Sequence, residues 1–594
     1  MRKKINERER IVGKKKTRAV MQWRLIDLHM HTPASEDYQQ PEVSYLELLQ
    51  RAEGRGLDAI AITDHNTIIG YRKMREEVQQ LELLEKLDRL MPGEKTRLAE
   101  YRRILGKMLV LPGFELTATF GFHILGIFPP DKPVREIEHL LIDLNIPTEK
   151  LDEGAVAVGA SSDVLTTYSL IRQAGGLVIA AHANSSNGVA MRGFPFGGQT
   201  KIAYTQDLNL HALEVTDLEV KGRRSTAAFF NGTKPEYPRR MHCIQGSDSH
   251  RLKADPQRRK NLGVGDRATE ALLPEVSFEA LIELFSSNDF ARTRPQRHTE
   301  EPAFDFIQAA REEGPNIVQD FLDEMSVRGG KRYAIIADVC AFANTNGGTL
   351  YIGLSSDPKK PVDGIPNPEA GIAQLEQEIN NRISPQLQCT LDVHETAGKK
   401  IIRILVPRGE DPPYAVDDNK IYVRSEADTG LAVRDEIVDL VMRGLPQPAA
   451  LGERVEIPAA LPGEPGEPAL DTAKADQSPR TGVEIVSVEE RGGGRYYTVR
   501  DLRNGNVVKN VTQTSARRLW HYAIKCFSEY PHDLAKAGIQ WQGDLGLVKR
   551  WKQGKSVRYD LVQRTPDGYR HYFGVTEDGI HGPWERLVGK EDEG

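Results

Sequence analysis

Between residues 26 and 250 a series of short apolar runs each carries a histidine, aspartate or glutamate at or beside its end. This recurrence restricts what the chain can fold into more than any other feature. The runs are "IDLHMH", "IAITDH", "LPGFEL", "FHILG", "VIAAHA" and "GSDSH". In the first, Ile26, Leu28 and Met30 alternate with Asp27, His29 and His31. A period of two puts both imidazoles and an acid on one face of a strand. Stretches such as "SYLELLQRAEGRG" and "TTYSLIRQAGG" read as helices between the runs. Continuous apolar strands alternating with helices predict a parallel sheet, open or closed into a barrel. Residues 71–108, charged and broken at Pro92-Gly93, read as a helical hairpin inserted between two strands.

In an α/β barrel the strand ends converge on one mouth. That geometry would gather His29, His31, His65, Glu115, His123, His182, Asp248 and His250, with Glu36 in the loop after the first strand. Six imidazoles and three carboxylates are too many for one ion. They suit two or three clustered divalent ions, Zn²⁺, Mn²⁺ or Fe, bridged by carboxylates. Two cations sharing a water lower its pKa toward neutrality, and the resulting hydroxide can attack phosphorus in line. Asp27 and Asp64 adjoin ligand positions and are candidates to orient imidazole N–H groups, Asp27 because it shares a strand face with His29, whereas Asp64 on a regular strand points away from His65. Arg192, Arg223, Arg224 and Arg251 lie near the mouth in sequence and are candidate phosphate clamps.

The stretches "DLHMHTPASE", "AITDHNT", "PGFEL", "FHILG", "AHA" and "GSDSH" resemble the successive motifs of the PHP (polymerase and histidinol phosphatase) family, over roughly residues 24–295. The resemblance implies a distorted (β/α)7 barrel holding three metals and hydrolysing phosphoesters. It carries the family's ligands onto His29, His31, His65, Glu115, His123, His182, Asp248 and His250. Many members have Asp where this chain has Glu36.

A second resemblance begins downstream. "AFANTNGGTLYIGL" and, much later, "PPYAVDDNKIYVRSEADTGLA" are similar to the Schlafen AlbA-type domain, also called divergent AAA-4, over roughly 305–442. Some relatives are endoribonucleases with three carboxylates. Here Asp320 stands at the second of those positions, Pro315 at the first, and Ser355, with Asp357 two residues on, at the third. The resemblance therefore implies nucleic-acid binding, through Lys331, Arg332, Arg408 and Arg424, or self-association rather than a second nuclease site. No GxxxxGK[ST] occurs, so no nucleotide cofactor is expected.

Residues 445–481 are rich in Pro, Gly, Ala and Glu without periodicity and read as a linker. Residues 482–590 read as a small β-rich domain with turn signals around one helix. Within it, residues 491–570 hold 16 Lys/Arg against 6 Asp/Glu. Lys549, Arg550, Trp551, Lys552 and Arg558 interleave cations with an aromatic, a pattern that grips phosphates and stacks bases. The net charge of the 594-residue chain is only −6, so any such footprint is local.

The expected organisation is a basic arm (1–23), the PHP barrel (24–300), an α+β Schlafen AlbA-like domain (303–444), the linker and the β-rich domain. No apolar run of 18 residues or more occurs and the basic opening lacks a hydrophobic core, so neither a membrane span nor a secretory signal is expected. Four scattered cysteines predict a reducing, cytoplasmic setting. The expected activity is metal-dependent phosphoester hydrolysis on DNA or RNA. A phosphatase of nucleotides or of histidinol-phosphate-like esters, and a regulator that binds nucleic acid without cleaving it, stay open.

Overall fold

A computed structural model of the chain describes residues 20–157, 162–190, 198–220, 225–258, 261–297, 305–444, 478–491, 494–502, 507–511, 518–529, 538–553, 556–566 and 568–589. Most of the basic arm and of the linker, and Arg192, Arg223 and Arg224, lie outside the described residues. Two compact units result: residues 1–228 with 241–302, and residues 229–240 with 303–594.

The first unit is built on β1 (Gln22–Met30), β2 (Ala59–Ile62), β3 (Leu109–Thr117), β4 (His123–Ile127), β5 (Leu177–Ala180), β6 (Ala212–Glu214), β7 (His242–Ile244), β8 (Thr269–Leu273) and β9 (Thr293–Pro295). These lie in one sheet, in the order β7-β6-β5-β4-β3-β2-β1-β8-β9. The chain beyond β7 returns to β1: Met30 bridges Ser249 in parallel, and Asp248 N–H donates to the His29 carbonyl at 2.8 Å. The seven strands β1–β7 thus form a nearly closed barrel.

The barrel is mixed rather than parallel. β4 runs antiparallel to both β3 and β5. Only residues 118–122 join β3 to β4, too few for the crossover that a parallel pair needs. His123 therefore opens its strand instead of ending one, yet reaches the same rim as the C-terminal end of β3.

Both faces of β1 are buried, for different reasons. Ile26 and Leu28 join Ala59, Ala61, Leu111, Leu125 and Ile179 in the main core, which also includes Leu281, Leu284 and Phe285 of the helix Phe278–Ser286. Each such aliphatic side chain contributes about 1.5–3 kcal/mol by leaving water. The alternate face carries Asp27, His29 and His31 inward, all at 0–1% exposure. The predicted hairpin forms as helices Ile69–Lys86 and Pro92–Leu105, with Pro92 at the start of the second helix, where its missing N–H costs nothing.

The second unit contains an α+β part. Its four-stranded sheet has the order β10-β11-β14-β13, from β10 (Gln319–Leu322), β11 (Gly348–Ile352), β13 (Thr390–Thr396) and β14 (Lys399–Val406). Between β11 and β13 lies β12 (Ile383–Ser384), which pairs with β15 (Ala415–Val416), and β16 (Tyr422–Ser425) forms a hairpin with β17 (Asp428–Leu431). The helix Lys331–Asn344 connects the parallel strands β10 and β11 and buries Ile335, Ile336, Val339 and Phe342 against Leu350, Ile402 and Ile404. The last residue of that helix explains the "AFAN" stretch. Asn344 donates to the carbonyls of Tyr414 and Tyr422 and accepts from Tyr414 N–H, each at 2.8 Å.

The same unit holds a seven-stranded antiparallel sheet, made of β18 (Val483–Arg491), β19 (Gly494–Asp501), β20 (Val507–Val511), β21 (Gln540–Gln542), β22 (Leu545–Gln553), β23 (Ser556–Thr565) and β24 (Gly568–Thr576). The helix Arg518–Glu529 packs Trp520, Ala523 and Ile524 against it. Among the described residues no helix is long and apolar enough to cross a membrane.

Candidate metal centre

Glu115 is the centre of the mouth. It sits near the end of β3, fully buried, and its two oxygens face five imidazoles. Oε2 lies 3.4 Å from His29 Nε2, 3.3 Å from His31 Nε2 and 3.0 Å from His65 Nδ1. Oε1 lies 2.8 Å from His123 Nδ1 and 3.1 Å from His182 Nε2. On the other side of the His29/His31 pair, Asp248 Oδ1 stands 3.4 Å and 3.6 Å from the two Nε2 atoms. His250 completes the rim, with its Nε2 3.3 Å from His65 Nε2.

The donors fall into three overlapping sets, each with its ligand atoms within 4.8 Å of one another: His31, His65 and His250; His29, His31, Glu115 and Asp248; and His65, Glu115 and His123. Two residues carry this convergence in the left-handed region, His182 at φ 27° and Asp248 at φ 49°. Non-glycine residues hold such angles only where their surroundings impose them.

The arrangement fits metal ions and does not satisfy itself. Glu115 Oε2 and His65 Nδ1 are both buried and, although only 3.0 Å apart, are not aligned for a hydrogen bond. His182 Nδ1 is likewise buried without a partner. The ring nitrogens of His29 and His31 face each other at 3.3 Å, as do those of His65 and His250. Facing acceptor nitrogens repel unless a proton or a cation lies between them.

The fields inside the mouth push neighbouring imidazoles apart. Burial disfavours a charged His29, but Glu214, then Glu115 and Asp248, overcome it and hold its pKa well above the ordinary value. Burial together with the charges of His250 and His65 brings His31 down to about 4. Glu115, despite burial, is held well below the carboxylate range by His123, His29 and His65.

Two groups of this site were invisible to the sequence reading. The first is Glu214 at the end of β6. It accepts from His29 Nδ1 at 2.7 Å, from His182 N–H at 3.0 Å and from Gly246 N–H at 3.1 Å. It fixes the His29 ring with Nε2 toward Asp248 and Glu115. The second is Asp37. Its Oδ2 reaches His250 Nε2 at 3.1 Å and His65 Nε2 at 3.5 Å. Glu36, the residue expected there, is exposed and joins none of the three donor sets. Asp37 is itself exposed and outside those sets, and of the two neighbouring carboxylates it is the one whose oxygen reaches the rim imidazoles.

Asp27 and Asp64 are buried beside the site; Asp27 holds no imidazole ring, and Asp64 reaches one only through the Ser35 hydroxyl. Asp27 accepts from Ser247 N–H at 2.9 Å and Gly265 N–H at 3.2 Å, and so holds the loop that presents Asp248. Asp64 points away from His65. It accepts from Thr32 N–H and from the Thr32 and Ser35 hydroxyls, and the Ser35 hydroxyl in turn lies 2.9 Å from His31 Nδ1. Arg251 is held by Asp255 at 2.9 Å.

The expected nucleic-acid contacts divide. Lys331, Arg408, Lys549, Arg550 and Lys552 are exposed, and Arg332 is half-buried. Arg424 is not at the surface at all: its side chain donates to Asp320 at 2.7 Å and to backbone carbonyls of Asn316, Gln319 and Ala427. Its guanidinium occupies the space beside the one carboxylate that matched the nuclease relatives. Arg558 is buried too, donating to the Gly574 carbonyl and pairing with Glu426 of the β16–β17 hairpin. Trp551 is half-buried, 4.7 Å from the Tyr522 ring, with its indole N–H on Asp560. These three side chains hold the fold together and are withdrawn from the binding reading.

The sequence profile of the Schlafen, AlbA_2 family matches residues 319–432. That segment is a Schlafen AlbA_2 domain. The matched span runs from β10 to the hairpin just described and includes Arg424, Asp320 and Asn344. No curated protein matches the chain. Among solved structures, a lesion-specific endonuclease from Pyrococcus furiosus is 13% identical, with a TM-score of 0.30, over 46% of this chain and 58% of that one. An endonuclease Q complex with a 27-mer duplex bearing an abasic lesion is 16% identical, with a TM-score of 0.28, over 44% and 56%. A protein of Bifidobacterium adolescentis provisionally described as a metal-dependent phosphoesterase is 17% identical, with a TM-score of 0.26, over 45% and 98%. This chain spans little more than half the length of the two endonucleases. The first unit itself is a nearly closed mixed barrel with a rim of His, Asp and Glu.

Proposed function

We propose that the chain is a metal-dependent hydrolase of phosphoester bonds in nucleic acid, with the reaction centre at the mouth of the barrel. The observation that carries this reading is Glu115. A buried carboxylate surrounded by five imidazoles, with one oxygen unsatisfied, is costly unless cations compensate it. His29, His31, Glu115 and Asp248 would hold one ion, His65 and His250 with Asp37 another, and Glu115 and His123, with His182 alongside, a third, Glu115 serving two ions through its two oxygens. Ions bound there supply Lewis acidity toward phosphoryl oxygens and make a water acidic near neutral pH.

The chain's own groups do the rest. Glu214 keeps the His29 ring turned inward, Ser35 and Asp64 do so for His31, and Asp27 fixes the loop carrying Asp248. Burial of the donor set excludes bulk water from it and strengthens each charge interaction. Nucleic acid as substrate rests on the Schlafen AlbA_2 domain in the same chain and on the exposed cations Lys549, Arg550 and Lys552.

The test is to incubate the purified protein with Mn²⁺ and end-labelled RNA, single-stranded DNA, duplex DNA and mononucleotides, with and without chelator. Cleavage of a polynucleotide that chelator abolishes is expected. Turnover of mononucleotides alone would make the protein a small-molecule phosphatase. Binding without turnover of any substrate would make it a regulator.

A further inference from the structure

Arg443, the penultimate residue of the helix Arg434–Gly444, presents a charge with two of its three nitrogens unanswered. Its Nη1 caps the end of the helix Lys331–Asn344, donating to the Asn344 carbonyl at 2.9 Å and the Thr345 carbonyl at 3.4 Å. Its Nε and Nη2 are buried and have no hydrogen-bond partner. These two atoms form one edge of the guanidinium, the edge that matches two oxygens of one acid.

Elsewhere in the same unit that edge is filled. Arg382 Nε and Nη2 bind the two oxygens of Asp417 at 2.9 and 2.8 Å. Arg403 binds Asp392 in the same way at 3.0 and 2.7 Å. Arg443 has no such acid. The segment that carries a second cation, Arg408, runs along the same helix end, since Gly409 N–H donates to the carbonyl of Ala343, next to the Asn344 that Arg443 caps; Arg408 is exposed and, among the described residues, has neither hydrogen bond nor ion pair to its side chain. Burial and then the charge of Arg408 bring the Arg443 pKa down to about 10. Among the described residues no carboxylate forms an ion pair with either. The backbone around them is fixed: Gly409 N–H donates to the Ala343 carbonyl at 2.8 Å, and a side chain at Gly347 would strike Arg408 N at 2.7 Å.

We propose that Arg443 and Arg408 together form an oxyanion site that takes one phosphate group. A carboxylate would serve the Arg443 edge alone, whereas a tetrahedral phosphate also offers an oxygen to Arg408. The site is independent of hydrolysis at the barrel and holds whether or not that proposal does.

The test uses the full chain with chelator present, so that the barrel's metals play no part. Two variants are compared with wild type. Arg408→Gln removes an exposed charge. Arg443→Lys keeps a charge that can reach the Asn344 carbonyl but removes the two-donor edge. Binding of a fluorescent single-stranded oligonucleotide is titrated at several salt concentrations, and thermal unfolding is followed with and without inorganic phosphate. Each variant is expected to bind the oligonucleotide several-fold more weakly, with a log–log salt slope shallower by about 0.7. If phosphate raises the unfolding temperature of wild type but not of the variants, the site takes the free ion as well. If only oligonucleotide binding changes, it reads the polynucleotide backbone. Unchanged affinity, salt slope and phosphate response in both variants would overturn the proposal.

Discussion

The barrel mouth and the interior of the Schlafen AlbA_2 domain both bury charged side chains, and they do so in opposite ways. In the domain the two arginines drawn furthest inside are answered: Arg403 meets Asp392 through two hydrogen bonds, and Arg424 meets Asp320 and three carbonyls. In the mouth, six imidazoles crowd around Glu115, Asp248 and Asp37 at 2.8–3.8 Å, yet Glu115 Oε2 and His65 Nδ1 find no aligned partner. Matched burial holds a fold together. Mismatched burial of this density marks a place prepared for something that arrives later.

The largest expected effect tests the mouth. His31→Ala and Asp248→Ala each remove a donor shared by the second set, and hydrolysis should fall by at least about 10³-fold, since a bound metal contributes several kcal/mol to the transition state. Oligonucleotide binding measured in parallel should stay within a few-fold. Retained turnover in both variants would move the reaction out of the barrel.

The matched region should respond in stability instead. Arg424→Met leaves the half-buried Asp320 and the buried Asp338 without their counter-charge; breaking a fully buried pair costs about 3–5 kcal/mol, and the partial exposure of Asp320 brings the expected loss to the lower end of that range or below. Denaturant unfolding of the second unit should shift accordingly while metal content of the protein is unchanged. A shift below about 1 kcal/mol would mean that the pair is not the keystone its contacts imply.

A smaller effect is expected from Glu214→Gln, which keeps the shape but removes the charge behind His29. Metal affinity should fall about 10- to 100-fold in competition with a chelator, as is usual for groups that orient a ligand. Unchanged affinity would show that His29 is held by its ring packing alone.

The smallest effect is a pH dependence. Burial, then the charge of Asp320, raises Asp338 to about 6. An acid whose folded pKa is raised costs no stability below its ordinary value near 3.8; the cost grows as pH rises from there to about 6 and is constant above. Asp338→Asn should therefore gain stability relative to wild type between pH 4 and pH 7, read as the difference between their unfolding midpoints. A pH-independent difference would place Asp338 among ordinary carboxylates.

Much of the mouth was legible because strands have a period. Asp27, His29 and His31 sit inward on β1 as their alternation with Ile26, Leu28 and Met30 requires, and Glu115, His123 and His182 converge with them. The two-residue step fails where the strand ends. Nothing in "TPASED" distinguishes Glu36 from Asp37, because a loop has no repeating direction.

The sequence by itself determined the donor chemistry, the alternation of strands and helices, and the "AFANTNGG" corner on which Asn344 ties three backbone groups. The tertiary structure alone decided three things. It turned β4 antiparallel, it placed Glu214 behind His29 across 185 residues of chain, and it withdrew Arg424 and Arg558 into the interior. Local pattern fixes which way a side chain faces along its own strand. Only barrel closure and sheet packing fix what it faces across the core, and for a charged group that partner decides between binding and holding the fold.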